Sequence, residues 1–265
     1  MSGAPDVRVL ADAAAVRRVA AEEFSARVEA AVGARGVAFV ALSGGSTPRG
    51  LNTLLADEAE PFRARVPWTR LQVFWGDERA VGPDHSDSNY RMALDTLLSR
   101  VPIPPAHVHR IVGEDPDPAQ AAASYSGELR QVFAAHGRLE GGWPRFDLVI
   151  LGMGPDGHTA SLFPGTNAVH ETSQPVVAAW VPKLHAHRIT LTPPVLNRAD
   201  RVVFLVTGSD KAEALAAVLE GPYQPDVYPS QVVRPTASPA IWLVDPAAAA
   251  GLTRRAAGSS SRVPP

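Results

Sequence analysis

Short apolar runs with almost no polar interruption recur along the chain, each separated from the next by segments with helical patterning. That alternation restricts the fold more than any other feature. Runs at residues 37–42, 71–75, 146–151, 201–206 and 240–244 read as buried strands. Segments rich in Ala, Leu, Arg and Glu predict helices at about 13–32, 89–99, 118–135 and 211–219. Another helix is expected to start near Pro48 with Thr47 as its N-cap, and a short one after Pro246. Uninterrupted strands need helices on both faces of their sheet, and β/α alternation makes the strands parallel. Residues 176–181 and 188–191 look like a further pair of strands joined across 182–187. The expected fold is α/β: a three-layer sandwich with a mostly parallel, Rossmann-like sheet flanked by helices, plus a small β excursion. Residues 1–255 read as a single domain, and 256–265 (AAGSSSRVPP) as a disordered tail.

Composition removes several kinds of chemistry. With no Cys in 265 residues, disulfides, Cys-ligated zinc, iron–sulfur clusters and thiol nucleophiles are excluded. Twenty-five basic residues against 27 acidic ones leave a net charge of -2, which offers nothing to attract a nucleic acid. The N-terminus lacks the pattern of a secretory signal, and no window approaches the roughly 18 apolar residues of a membrane span. The expectation is a soluble cytoplasmic protein with no membrane or nucleic-acid partner. Only Lys183 and Lys211 among the basic residues are lysine, so each asks for an explanation.

In parallel α/β sheets ligands sit outside the carboxyl ends of the strands, which directs attention to the loops there. The first is Ser43-Gly44-Gly45-Ser46-Thr47, between a strand and a helix start. Its glycines permit close backbone approach, and free helical N–H groups face the same space, as a phosphate would require. A tight turn with a Thr cap fits the same residues. The second is Gly76-Asp77-Glu78-Arg79. Here Arg79 either neutralises Asp77 in an ion-pair cluster or stabilises a developing oxyanion beside it. The third, Gly152-Met153-Gly154-Pro155-Asp156-Gly157-His158, matches G-x-G-x-x-G. A dinucleotide is nonetheless rejected, because Pro155 stiffens the turn and Phe163-Pro164-Gly165 stops any following helix. What remains is a loop delivering Asp156 and His158, the best general-base candidate among eight histidines. His85, His107, His109 and His136 are expected to be solvated. The fourth, Thr207-Gly208-Ser209-Asp210-Lys211, puts a cation at a helix start, which opposes the dipole unless an anion is near. Simple solvent exposure is the other reading. Lys183 and His185-Ala186-His187 read as a solvated hairpin tip. Arg188 either reaches a phosphate or caps the sheet edge.

Together LSGGSTPRGL, FWGDERAVGPDHSDSNYRMA, FDLVILGMGPDGHTASLFPG, HRITLTPPVLN and VTGSDKAEAL resemble 6-phosphogluconolactonases, in order and spacing, over about residues 37–245. The resemblance implies an α/β fold shared with glucosamine-6-phosphate deaminases, and hydrolysis of 6-phospho-D-glucono-1,5-lactone in the oxidative pentose phosphate pathway. It implies a sugar-phosphate lactone as partner, with no metal and no organic cofactor. It makes His158 the base that activates water, with Asp77 and Arg79 beside the lactone carbonyl. Ser43, Gly44, Gly45, Ser46, Thr47, Lys211 and Arg188 would hold the phosphate. Deaminases read DGHIAFNEP, and alignment on DGH sets Phe163 where their relay glutamate stands. A deaminase or isomerase of the same fold, and a non-catalytic sugar-phosphate sensor, are the alternatives. Oligomeric state, and whether Asp156 orients His158, are open at this level.

Overall fold

In the computed structural model, which describes residues 4–253, five of the six strands of the central sheet follow from runs too apolar to face water. In chain order the first half comprises β1 (Asp6–Val9), α1 (Ala13–Arg35), β2 (Ala38–Leu42), α2 (Ser46–Ala56), α3 (Pro61–Arg65), β3 (Leu71–Trp75), β4 (Asp77–Arg79) and α4 (Asn89–Thr96). Then come α5 (Pro118–Ala135), β5 (Leu139–Glu140), β6 (Trp143–Pro144), β7 (Leu148–Gly152), β8 (Val176–Val181) and β9 (Ala186–Leu191). The chain closes with α6 (Pro193–Arg198), β10 (Val202–Val206), α7 (Ala212–Glu220) and β11 (Ile241–Val244).

The central sheet has six strands in the order β1-β11-β10-β7-β2-β3, and every neighbouring pair runs parallel. The expected α/β arrangement is therefore present, with helices flanking the sheet. From β2 the chain builds outward to β3 on one side; β7, β10 and β11 later fill the other. The order reverses between β2 and β7, and that switch point opens a crevice at the strands' carboxyl ends.

Local signals explain the helices that frame it. The Asp12 side chain caps α1 by accepting from the Ala15 N–H at 2.8 Å, and Gly36 ends the helix at φ 77°. Between these stops Val16, Ala20, Phe24 and Val28 recur every four residues and are fully buried. Below the crevice Phe39, Phe74, Phe133 and Phe146 interlock, with ring centroids 4.5 Å apart for Phe39–Phe133 and 4.7 Å for Phe133–Phe146. Burying each such side chain contributes roughly 1.5–3 kcal/mol.

Three elements differ from the sequence-based expectation. The strand β1 has no buried run; it is a half-exposed edge strand hydrogen-bonded to β11. The segment Asp77–Arg79, read as loop, is a strand: β4 pairs antiparallel with β9, which pairs with β8. The β excursion is thus three-stranded. Finally, α2 starts at Ser46 behind Gly45, with no side-chain cap, so Thr47 is not its N-cap. The tail at 256–265 lies outside the described residues. Among the described residues no helix is long and apolar enough to cross a membrane.

Candidate active site

Loops from β2, β3, β7 and β10, together with the β8–β9 turn, enclose a cavity of about 370 Å³ above the switch point. All eleven residues singled out from the sequence line it: Ser43, Gly44, Gly45, Ser46, Thr47, Asp77, Arg79, Asp156, His158, Arg188 and Lys211.

One wall is the SGGST loop. Gly45 takes φ 103°, a conformation that an L side chain rarely adopts, and this turns the chain so that α2 begins at the cavity. The first N–H groups of that helix have no intrahelical acceptor and stand at its positive end. Thr47, freed from capping, bonds its hydroxyl to that of Thr207 at 2.8 Å, tying the loop after β2 to the loop after β10. Lys211 ends a 3-10 turn at Ser209–Lys211, and α7 begins one residue later than expected. Its Nζ donates to Asp210 at 2.7 Å, so the cation already has a carboxylate beside it. The buried Asp245 positions this loop by accepting from the Gly208 N–H at 3.1 Å and the Ala248 N–H at 2.8 Å.

The second wall is β4 against β9, where Arg79 and Arg188 stand directly opposite each other. Like charges in that register repel. Neither guanidinium forms an ion pair among the described residues: Arg79 donates to the Asp87 carbonyl and Arg188 to the His187 carbonyl. Burial, with Arg79 alongside, pulls the Arg188 pKa below its ordinary value. Two facing cations with no carboxylate in ion-pair contact form a site that an anion would relieve. The reading in which Arg79 neutralises Asp77 is therefore corrected. Asp77 is held instead by the Ser161 hydroxyl at 2.7 Å and the Asn89 amide at 3.3 Å. Glu78 points away, accepting from the N–H groups of Arg79, Asn89 and Tyr90 and from the Ser88 hydroxyl. Burial pushes its carboxyl above the ordinary range even against those donors.

The third wall is the glycine loop after β7. A turn closes it, with the Gly154 N–H donating to the His158 carbonyl at 2.9 Å. A Cβ on Gly154 would lie 2.1 Å from the His158 ring, so only glycine leaves room for the imidazole. His158 Nδ1 is 2.5 Å from Asp156 Oδ1, and the ring stacks on Phe163 with centroids 4.0 Å apart. Burial works to raise the Asp156 pKa, yet hydrogen bonds from His158 and Lys183 overcome it and hold the carboxyl well below its usual range. With Asp156 on Nδ1, Nε2 is the nitrogen left for a substrate proton. No helix follows His158, so a pyrophosphate would find no helix N-terminus here.

Sequence reasoning missed four supporting residues and misjudged two. Asn89, Ser161, Thr207 and Asp245 act through contacts with residues 12 to 160 positions away, which no local pattern announces. Lys183, read as incidental, donates to Asp156 Oδ2 at 2.9 Å and lines the cavity. His109, read as solvated, is buried between Glu128 and Gln72, 2.7 Å from each, and stacks on Phe74. Among the described residues no group of three or more His, Asp or Glu converges as a metal site.

Comparison with known proteins gives a consistent picture. The profile of the family described as glucosamine-6-phosphate isomerases/6-phosphogluconolactonase matches residues 11–242. A 6-phosphogluconolactonase of Synechocystis sp. is 40% identical over 242 residues, covering 91% of this chain and 96% of the relative. One of Nostoc sp. is 38% identical over 247 residues, covering 93% and 98%. Among solved structures, the 6-phosphogluconolactonase from Trypanosoma cruzi superposes with a TM-score of 0.80 at 30% identity, covering 96% of this chain and 99% of that one.

Proposed function

The chain belongs to the glucosamine-6-phosphate isomerase/6-phosphogluconolactonase family, and from that premise we propose how its cavity works. It hydrolyses 6-phospho-D-glucono-1,5-lactone to 6-phospho-D-gluconate, a step of the pentose phosphate pathway. The observation that carries the mechanism is an imidazole–carboxylate pair sharing one cavity with unpaired guanidinium groups and a helix N-terminus.

The 6-phosphate docks on the backbone from Gly44 to Thr47, with Lys211 and Arg188 supplying positive charge, and this remote binding positions the ring. Asp156 accepts from Nδ1–H of His158 and leaves Nε2 as the base. Nε2 removes a proton from water, and the oxygen attacks C1 of the lactone. Arg79 stabilises the tetrahedral oxyanion. The C1–ring oxygen bond then breaks, and His158 returns its proton to the departing oxygen. A lactone is an activated ester, so one base, one oxyanion partner and orientation suffice without a covalent nucleophile. Phe163 against the His158 face argues against the deaminase alternative, whose relay needs a carboxylate there. The same reading takes residues 1–255 as one domain acting in the cytoplasm.

The test is to generate the lactone in situ by oxidising glucose 6-phosphate and follow its loss with and without the protein. Acceleration is expected, with no ammonia released from glucosamine 6-phosphate. An unchanged rate of lactone loss would overturn the assignment.

A further inference from the structure

Lys183 sits in the 3-10 turn Pro182–Leu184 between β8 and β9 and donates to Oδ2 of Asp156 at 2.9 Å. The other oxygen of that carboxylate, Oδ1, is the one 2.5 Å from His158 Nδ1. Each oxygen therefore has its own partner, and the two partners come from different elements. The terminal torsion of an Asp side chain is soft. Pinning Oδ2 keeps the lone pairs of Oδ1 on Nδ1–H, and that hydrogen bond decides which imidazole nitrogen is free.

Charge works in the same direction. A carboxylate alone against an imidazole favours the imidazolium, which is useless as a base. A lysine cation on the same carboxylate offsets that pull. The other charged groups around the cavity are Asp77 and Arg79 on β4, Arg188 on β9 and Lys211 after β10. The Ser43–Thr47 loop brings none, Tyr228 packs against Gly157, and Phe163 covers one ring face.

We propose that Lys183 is a positioning residue for the lactonase reaction: through Asp156 it holds His158 in the tautomer and orientation that accept a proton from water. The inference rests on the lactonase reading of the site.

Lys183→Met and Lys183→Arg test it beside wild type, with the lactone generated in situ across a pH series. The lysine side chain is 65% exposed, so both variants fold, which an unchanged Tm verifies. Lys183→Met is expected to lower kcat about three- to tenfold, the scale of a partly exposed ion pair, with KM within about twofold. The acid limb of its kcat profile moves to higher pH, because Asp156 alone favours the imidazolium. Lys183→Arg restores both. Nitrogen-15 spectra of histidine-labelled protein read the tautomer directly: Nδ1–H in wild type, a mixture in Lys183→Met. A raised KM with unchanged kcat would make Lys183 a substrate ligand and overturn the proposal, as would an unaltered profile and tautomer. Should wild type itself fail to consume lactone, the lactonase reading falls, while the spectra still decide the tautomer separately.

Discussion

His158 is half-exposed in a loop, and its chemistry depends on three neighbours: Asp156 on Nδ1, Phe163 on one face and Gly154, whose missing Cβ leaves the ring its space. Replacing the imidazole should remove the base and leave the binding walls intact. His158→Asn is expected to lower kcat by roughly 10²–10⁴ with little change in KM, and steady-state kinetics at saturating lactone would reveal turnover near wild type if the base is elsewhere. Arg188 carries the opposite expectation. In the proposed mechanism, as one of two facing cations with no ion-paired carboxylate, it would hold the substrate anion in the ground and transition states alike. Arg188→Met should raise KM about 10- to 100-fold, the range of a charged hydrogen bond, and spare kcat. A loss confined to kcat would instead put Arg188 at the reacting carbonyl.

At the scale of elements, β4 shows how a charged tripeptide becomes a strand. Asp-Glu-Arg has no strand propensity, but β9 offers it a ladder, and Glu78 converts the following turn into a helix start. Its carboxylate accepts from the N–H groups of Asn89 at 2.7 Å and Tyr90 at 2.8 Å, binding β4 to the first turn of α4. Burial raises the Glu78 pKa above the ordinary value of 4.5. The folded state therefore holds this proton more tightly than the unfolded state. Its stabilisation is fully present below that ordinary value and is lost as pH rises through the raised one. Glu78→Gln lacks this slope. Urea midpoints of both proteins at matched pH are expected to show the advantage of wild type shrinking as pH rises above the ordinary glutamate range. An advantage that grows over that interval would contradict the assignment.

Across the whole molecule, the cavity and a buried ionic cluster occupy opposite ends of the sheet. At the carboxyl ends lies the cavity; at the amino ends an ionic cluster joins loops and helices. Asp147, just before β7, accepts from the Phe39 N–H at 2.9 Å and pairs with Arg35 and with Arg138, which also reaches Asp200 at 2.7 Å. Asp147→Ala would leave the buried Arg138 with Asp200 as its one carboxylate and would free the Phe39 N–H. A loss of about 1–3 kcal/mol is expected, the cost of a buried donor left without its acceptor, read from denaturant unfolding, while kcat per folded molecule stays unchanged. Activity falling faster than the folded fraction would show that the two ends are coupled.

The sequence by itself determined the strands with uninterrupted apolar runs, the parallel α/β class, and the four loops that line the cavity. In each case the signal is local: burial demands an apolar run, and a turn demands glycine. The identity of His158, Arg79 and the SGGST loop as neighbours in one cavity was legible because strand ends in such sheets converge. What only the tertiary structure decided is whatever depends on partners distant in the chain. Edge strand β1 is too short and too exposed to leave a pattern, and β4 exists because β9 lies beside it. The same holds for Asp77 on Ser161 rather than Arg79, for His109 under Phe74, and for Lys183 on Asp156. A side chain's type fixes which bonds it can make; the packing of remote segments selects the partner, because desolvation and distance act only once those segments meet.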